Sequence, residues 1–184
     1  MIFLPEIPAP YDKIEISKNG FSESETKKIF ADAGFEWENR SERYEKLKGT
    51  IFEEVSGKWY VAYVDGKPLA SQGIGEFEGV YLLLGAKSFA PPKTKVGSRL
   101  TTDVISKHGD KPIIGSASGG AGKHLFVNKN GFKLIEVEGG LVQGNKDLPT
   151  EVKSALEVAK ERGGIPIRKI YLRMPDTWFV LLRN

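Results

Sequence analysis

The spacing of apolar and polar residues changes several times along the chain, and each change predicts an element. Lys13–Ser17 (KIEIS) alternates with period two and reads as a short strand. Ser22 and Glu25 then form a capping box, opening a helix that carries Ile29, Phe30 and Ala33 and stops at Gly34. A second helix is predicted over about 41–53, with Tyr44, Leu47 and Ile51 on one stripe. From there the pattern is one of strands. Lys58–Val64 and Lys67–Glu76 flank the hairpin signal Asp65-Gly66, and Gly79 separates the second of them from Val80–Phe89 (VYLLLGAKSF). That run is the most apolar strand, and its Gly85 marks a bulge.

The loop APPKTKVG precedes a helix from about Ser98 to Lys107. Lys111–Ser116 is a strand, about 121–130 a short helix, and Phe132–Glu138 a strand. After a Gly/Asn/Asp-rich loop, Thr150 caps a helix with the stripe Val152, Ala155, Leu156 and Ala159, ended by Gly163-Gly164. Arg168–Arg173 and Trp178–Leu182 close the chain as strands. Hairpins imply antiparallel pairing, and the strand–helix–strand unit across 80–116 implies one right-handed parallel crossover. The class is α/β: a mixed, mostly antiparallel sheet with helices on both faces.

Composition narrows the chemistry. With 184 residues, 40% hydrophobic and 28% charged, the chain has the size and balance of one globular domain. It has no cysteine, which excludes disulfides, thiolate metal sites and a cysteine nucleophile, and no metal site is expected. Apolar runs such as Val80–Leu84 are too short to cross a bilayer, and the start MIFLPEIPAP does not read as a signal peptide. No membrane partner and a cytoplasmic location are expected. The net charge of +3 is unevenly distributed. Residues 93–133 hold eight basic and two acidic side chains, net +6, whereas residues 1–92 are net −4. A basic segment of this kind suits an anionic ligand.

Two glycine-rich segments test the phosphate-binding possibilities. In KPIIGSASGGAGKHLFVNKNGF, Lys111–Phe132, Gly122-Lys123 supplies the G-K of a P-loop. The first glycine position falls on Ala117, however, and the Ser/Thr position on His124, a poor ligand for magnesium. Gly73-Ile-Gly75 with Gly79 hints at a dinucleotide fingerprint, but it lies between two strands with no helix to receive a pyrophosphate.

The order of elements from Lys58 to Glu138 resembles the GNAT acyltransferase superfamily. Its members run hairpin, long apolar strand, pyrophosphate loop, helix, strand, helix, then a Gly-Phe opening the next strand. Here these are VYLLLGAKSF, APPKTKVGS, SRLTTDVISK and Gly131-Phe132. The resemblance implies a GNAT-like fold with one splayed parallel strand pair, and acetyl-CoA or another acyl-CoA as cofactor. It implies pantetheine contacts from the backbone of Ala86, Lys87, Ser88 and Phe89. A pyrophosphate site would be built from Lys93, Thr94, Lys95, Val96, Gly97, Ser98 and Arg99, with Phe126 lining the cofactor. The family motif [RQ]-x-x-G-x-[GA] matches only at its last glycine, Gly97, and the leaving-group Tyr of many members is replaced by Phe126 and Val127.

The implied reaction is N-acyl transfer, most simply N-acetyl transfer, from CoA to a small-molecule or polypeptide amine by direct attack. A base is useful for such an attack. Glu76 and Glu78 stand at the turn into the long strand, and their period-two spacing puts them on one face. His124, Ser118 and Tyr81 are the candidate acids, and a backbone N–H near Gly85 is a candidate oxyanion donor. Residues 1–184 are expected to be one domain with an insertion at about 139–166 that shapes the acceptor pocket. Ser116–Phe132 also loosely resembles the Mom branch of phage DNA-modifying GNAT-like proteins, which makes nucleic acid the alternative partner. A non-catalytic module that keeps the fold is a further alternative.

Overall fold

A computed structural model describes residues 6–39, 42, 55–115, 124–138, 141–142, 148–161 and 169–173. The strands are β1 (Glu15–Ile16), β2 (Gly57–Val64), β3 (Lys67–Phe77), β4 (Val80–Ser88), β5 (Ile113–Gly115), β6 (Lys133–Glu138), β7 (Leu141–Val142) and β8 (Lys169–Arg173). They form one sheet in the order β1-β2-β3-β4-β5-β8-β6-β7. Neighbours are antiparallel except β4 and β5, the one parallel pair among the described residues. The mixed, mostly antiparallel class expected from the sequence is the one observed. The last described strand, β8, is inserted between β5 and β6 rather than added at an edge.

Local chemistry accounts for the elements. α1 (Glu23–Asp32) starts with both halves of the predicted capping box, the Glu25 amide donating to Ser22 Oγ and the Ser22 amide to the Glu25 carboxylate. Asp65-Gly66 and Glu78-Gly79 each take two consecutive positive φ angles, 50° and 76° and then 49° and 79°. These are tight hairpin turns whose twist matches the strands they join.

Helices cover both faces. α1 and α3 (Thr150–Glu161) lie on one side, where Phe30, Trp59, Val61, Leu82 and Leu84 pack with Val152, Ala155, Leu156 and Ala159. α2 (Val96–Ser106) lies on the other, where Leu100, Val104 and Ile105 pack with Ala62, Ile74, Leu83 and Ile113. The stripe predicted for α3 is 0–2% exposed, so this helix is a wall of the core. Its first backbone bond runs from Lys153 to the Pro149 carbonyl, which places the cap at Pro149 rather than Thr150.

Of the helix predicted over 121–130, the described part, His124–Lys129, is π-helical. The second predicted helix, apart from Glu42, and the strand 178–182 lie outside the described residues. No described helix is long and apolar enough to cross a membrane.

Candidate functional site

β4 is paired along its length with β3 but only briefly with β5. The parallel register consists of Tyr81↔Ile113 and Leu82↔Ile114, and among the described residues it goes no further. Just beyond, the β3–β4 register shifts: Gly73 faces Gly85 and Ile74 faces Leu83, which leaves Leu84 as an extra residue. This is the bulge expected at Gly85, displaced by one. A bulge bends its strand and adds twist.

A buried polar group lies against the bulge. Gln72 on β3 is 3% exposed. Its Nε2 donates to the carbonyls of Gly73 (2.9 Å) and Gly85 (3.0 Å). Its Oε1 accepts from the Thr101 hydroxyl of α2 (2.7 Å), itself 2% exposed. Two carbonyl partners on one side and a hydroxyl on the other fix which end of the carboxamide is nitrogen. Sequence reasoning missed Gln72 and Thr101. The available signal was a lone amide in LASQGIG, a run otherwise made of small and apolar residues.

Past the bulge, ladder alternation decides which backbone groups face β5. The Phe89 N–H donates to the Leu69 carbonyl (2.7 Å), so Phe89 is not a donor to a ligand. In an antiparallel ladder facing residues alternate between exchanging hydrogen bonds and turning away. Lys87, two residues earlier, therefore also addresses β3, while the backbone groups of Ala86 and Ser88 turn to the β5 side. Of the four expected pantetheine contacts, Lys87 and Phe89 address β3 instead.

α2 begins beside the end of β4. A Cβ built on Gly97 would lie 3.2 Å from Ser88 Cβ, so glycine lets the first helical turn rest against the strand. The N-cap is Lys95, left-handed at φ 58°, and its side chain makes no cap bond. Its carbonyl accepts from the Arg99 amide and from Ser98 Oγ. The amides of Val96, Gly97 and Ser98 thus precede any intrahelical acceptor. With the helix dipole, they make this end electropositive. Lys93 and Lys95 are exposed next to it.

The other expected pyrophosphate residues do different work. Arg99 Nη1 and Nη2 donate to the carbonyls of Tyr11 (2.7 Å) and Asp12 (3.1 Å), pinning the N-terminal segment. Thr94 is 3% exposed and donates to the Pro91 carbonyl, and the Val96 side chain, 1% exposed, belongs to the core. Phe126, 7% exposed, packs against Phe132 at 5.1 Å between ring centroids and lies over Gly115. That is a core position.

The catalytic candidates do not converge. Glu76 is ion-paired with Lys111. Glu78 sits in the β3–β4 turn, past the end of the strand, so the expected shared face does not exist. Tyr81 donates to the Asp110 carboxylate at 3.1 Å and meets His108 edge-on at 5.0 Å. Burial, and secondarily Asp110, hold the Tyr81 hydroxyl above the usual tyrosine range, while the bond to Glu76 raises Lys111. This cluster sits where β4 and β5 are joined. Seven residues separate Tyr81 from Ser88, roughly 20 Å along a strand. His124 is exposed, with Nδ1 3.3 Å from Asn128 Nδ2. Ser118 lies outside the described residues. The glycines Gly73 and Gly75 accommodate packing: Cβ atoms there would fall 2.5 Å from the Trp59 ring and from Val55.

No protein-family model and no curated protein matches the sequence. Solved structures do. The chain is similar to the Bacillus subtilis N-acetyltransferase YlbP in complex with coenzyme A, at 15% identity and TM-score 0.49, over 89% of this chain and 98% of that one. It is similar to a ribosomal-protein alanine N-acetyltransferase from Escherichia coli, at 12% identity and TM-score 0.46, over 87% and 91%. It is similar to a GNAT family acetyltransferase from Elizabethkingia anophelis with acetyl-CoA bound, at 15% identity and TM-score 0.42, over 66% and 78%.

Proposed function

We propose that the chain is a GNAT-type acyltransferase that binds an acyl-CoA between β4 and β5 and transfers the acyl group to an amine. One observation carries this reading. The described β4–β5 register is confined to Tyr81↔Ile113 and Leu82↔Ile114 at the start of β4, and the start of α2, with no side-chain cap, rests against the other end of β4 at Ser88. The amides of α2 and the Lys93 and Lys95 side chains would take the pyrophosphate, as helix N-termini do. The backbone of Ser88 would bond a pantetheine amide in the manner of an added strand. The acceptor nitrogen attacks the thioester carbonyl carbon, the carbon–sulfur bond breaks, and the thiolate takes up a proton. With Glu76, Glu78 and Tyr81 at the joined end of the strand pair, His124 is the remaining proton-transfer candidate among the described residues.

Ligand-dependent stability tests the proposal. CoA at a hundred times its Kd would stabilise the fold by about 2.7 kcal/mol, a Tm rise of about 5–10 °C for a chain of this size. Among the described residues nothing lies within 4 Å of a Cβ built on Gly85, so Gly85→Leu is expected to fill the proposed cleft and abolish the shift while the free protein keeps its Tm. A flat response to millimolar CoA and acetyl-CoA, or a salt-sensitive response to duplex DNA instead, would overturn the acyltransferase reading.

A further inference from the structure

A bulge leaves a strand prone to slip back into regular register. A one-residue slip beyond Leu84 would turn Lys87 and Ser88 over to opposite faces. It would break the fit of Gly97 against Ser88 and the stacking of Phe89 on Phe35, whose centroids are 4.5 Å apart. Something must hold the register at that point, and Gln72 is placed to do so. Both its amide hydrogens are engaged, one on each carbonyl of the facing pair Gly73 and Gly85, and its oxygen is engaged by α2 through Thr101. The side chain therefore spans the shift between the two strands and fastens it to the helix whose first turn meets β4.

We propose that Gln72 is a positioning residue: its carboxamide locks the β4 bulge, so that β4 beyond Leu84 stays aligned with the start of α2. The lock is a property of the free protein. Its consequence for cofactor binding rests on the acyl-CoA reading above.

Two variants and two measurements test this. Gln72→Met keeps length and bulk but cannot bond either carbonyl; Thr101→Val removes only the link to α2. In hydrogen exchange of the ligand-free protein, Gln72→Met is expected to speed exchange of the 84–89 amides at least tenfold while amides 59–63 of β2 keep their rates. Thr101→Val is expected to give a smaller change of the same kind, and it carries the test if Gln72→Met does not fold. In CoA titrations, Gln72→Met is expected to weaken binding at least tenfold at temperatures where it is fully folded. A loss that merely tracked global stability would leave that Kd unchanged. Wild-type exchange at 84–89 in both variants overturns the lock. Altered exchange with unchanged CoA affinity overturns its role in the cleft. Altered exchange in a protein whose wild type binds no CoA upholds the lock and overturns the acyl-CoA reading instead.

Discussion

Gly73 and Gly85 face each other across β3 and β4, yet replacing each with alanine should have opposite consequences. A Cβ on Gly73 would lie 2.5 Å from Trp59 Cε2, 2.6 Å from its Nε1 and 2.9 Å from its Cζ2. The Trp59 ring has little room to yield. It is 2% exposed and meets Trp37 edge-on at 6.0 Å, and Trp37 is fixed by its Nε1 bond to Ser71 Oγ at 2.8 Å. Overpacking of this kind costs about 1–3 kcal/mol, and a rigid indole neighbour puts the case near the top of that range. Stiffening the unfolded chain returns about 0.4–1 kcal/mol. A net loss of about 2 kcal/mol remains, or about 4–8 °C in Tm at this chain length. Gly85→Ala meets nothing within 4 Å among the described residues and should be neutral or slightly stabilising. Urea denaturation followed by tryptophan emission measures both variants, and displacement of Trp59 should change the native emission of Gly73→Ala alone. Equal midpoints for Gly73→Ala and wild type, or equal losses in the two variants, would refute the packing argument.

Arg99→Gln should lower stability by about 1 kcal/mol, because two partly exposed hydrogen bonds from a charged group are lost, and should leave CoA affinity within twofold. A tenfold weaker CoA titration at wild-type stability would restore Arg99 to the phosphate site. Leu156→Ala should cost about 2–5 kcal/mol, as for other fully buried leucines, since Leu156 is 2% exposed in the core; a loss below 1 kcal/mol in urea would show α3 to be peripheral. Stability should also fall as pH rises above about 10, the ordinary tyrosine value. Tyr63, Tyr81 and Lys111 all hold their protons more tightly when folded. The unfolded chain therefore releases protons first, and the slope of stability against pH is negative there. Tyr81→Phe should make the fall between pH 9.5 and 11 shallower, and an unchanged slope would contradict the shift.

Much of the architecture was legible because local rules and tertiary packing agree in this chain. The Ser22–Glu25 box, the Asp65-Gly66 turn and the α3 stripe are all short-range patterns, and the structure keeps each of them. The misreadings occur where a residue's partner is remote in sequence. Arg99 is basic, lies in a helix's first turn and follows a lysine-bearing loop, so local reasoning gave it to a phosphate. Its partners are the carbonyls of Tyr11 and Asp12, 88 and 87 residues away. Glu76 and Glu78 share a parity that holds only while the strand continues, and β3 ends at Phe77.

The same reasoning explains why the cleft was easier to anticipate than its chemistry. An opening between parallel strands needs a bulge, a short neighbour and a helix that starts at the right height. These leave traces in glycine placement, apolar run length and loop length, and all three are visible between Val80 and Ser98. Catalysis needs side chains to converge, and convergence leaves no trace in spacing along the chain. The basic surplus of 93–133 illustrates the difference. It looks like one patch in sequence, yet α2 carries its two ends apart. Lys93 and Lys95 remain exposed at the start of the helix, while Lys107 and Lys111, beyond its far end, are ion-paired to Asp103 and Glu76. Of the eight basic residues, Arg99, Lys107 and Lys111 are thus engaged by carbonyls or carboxylates within the fold. Lys93 and Lys95, beside the unpaired amides that open α2, are the charges that the proposed compact anion would meet.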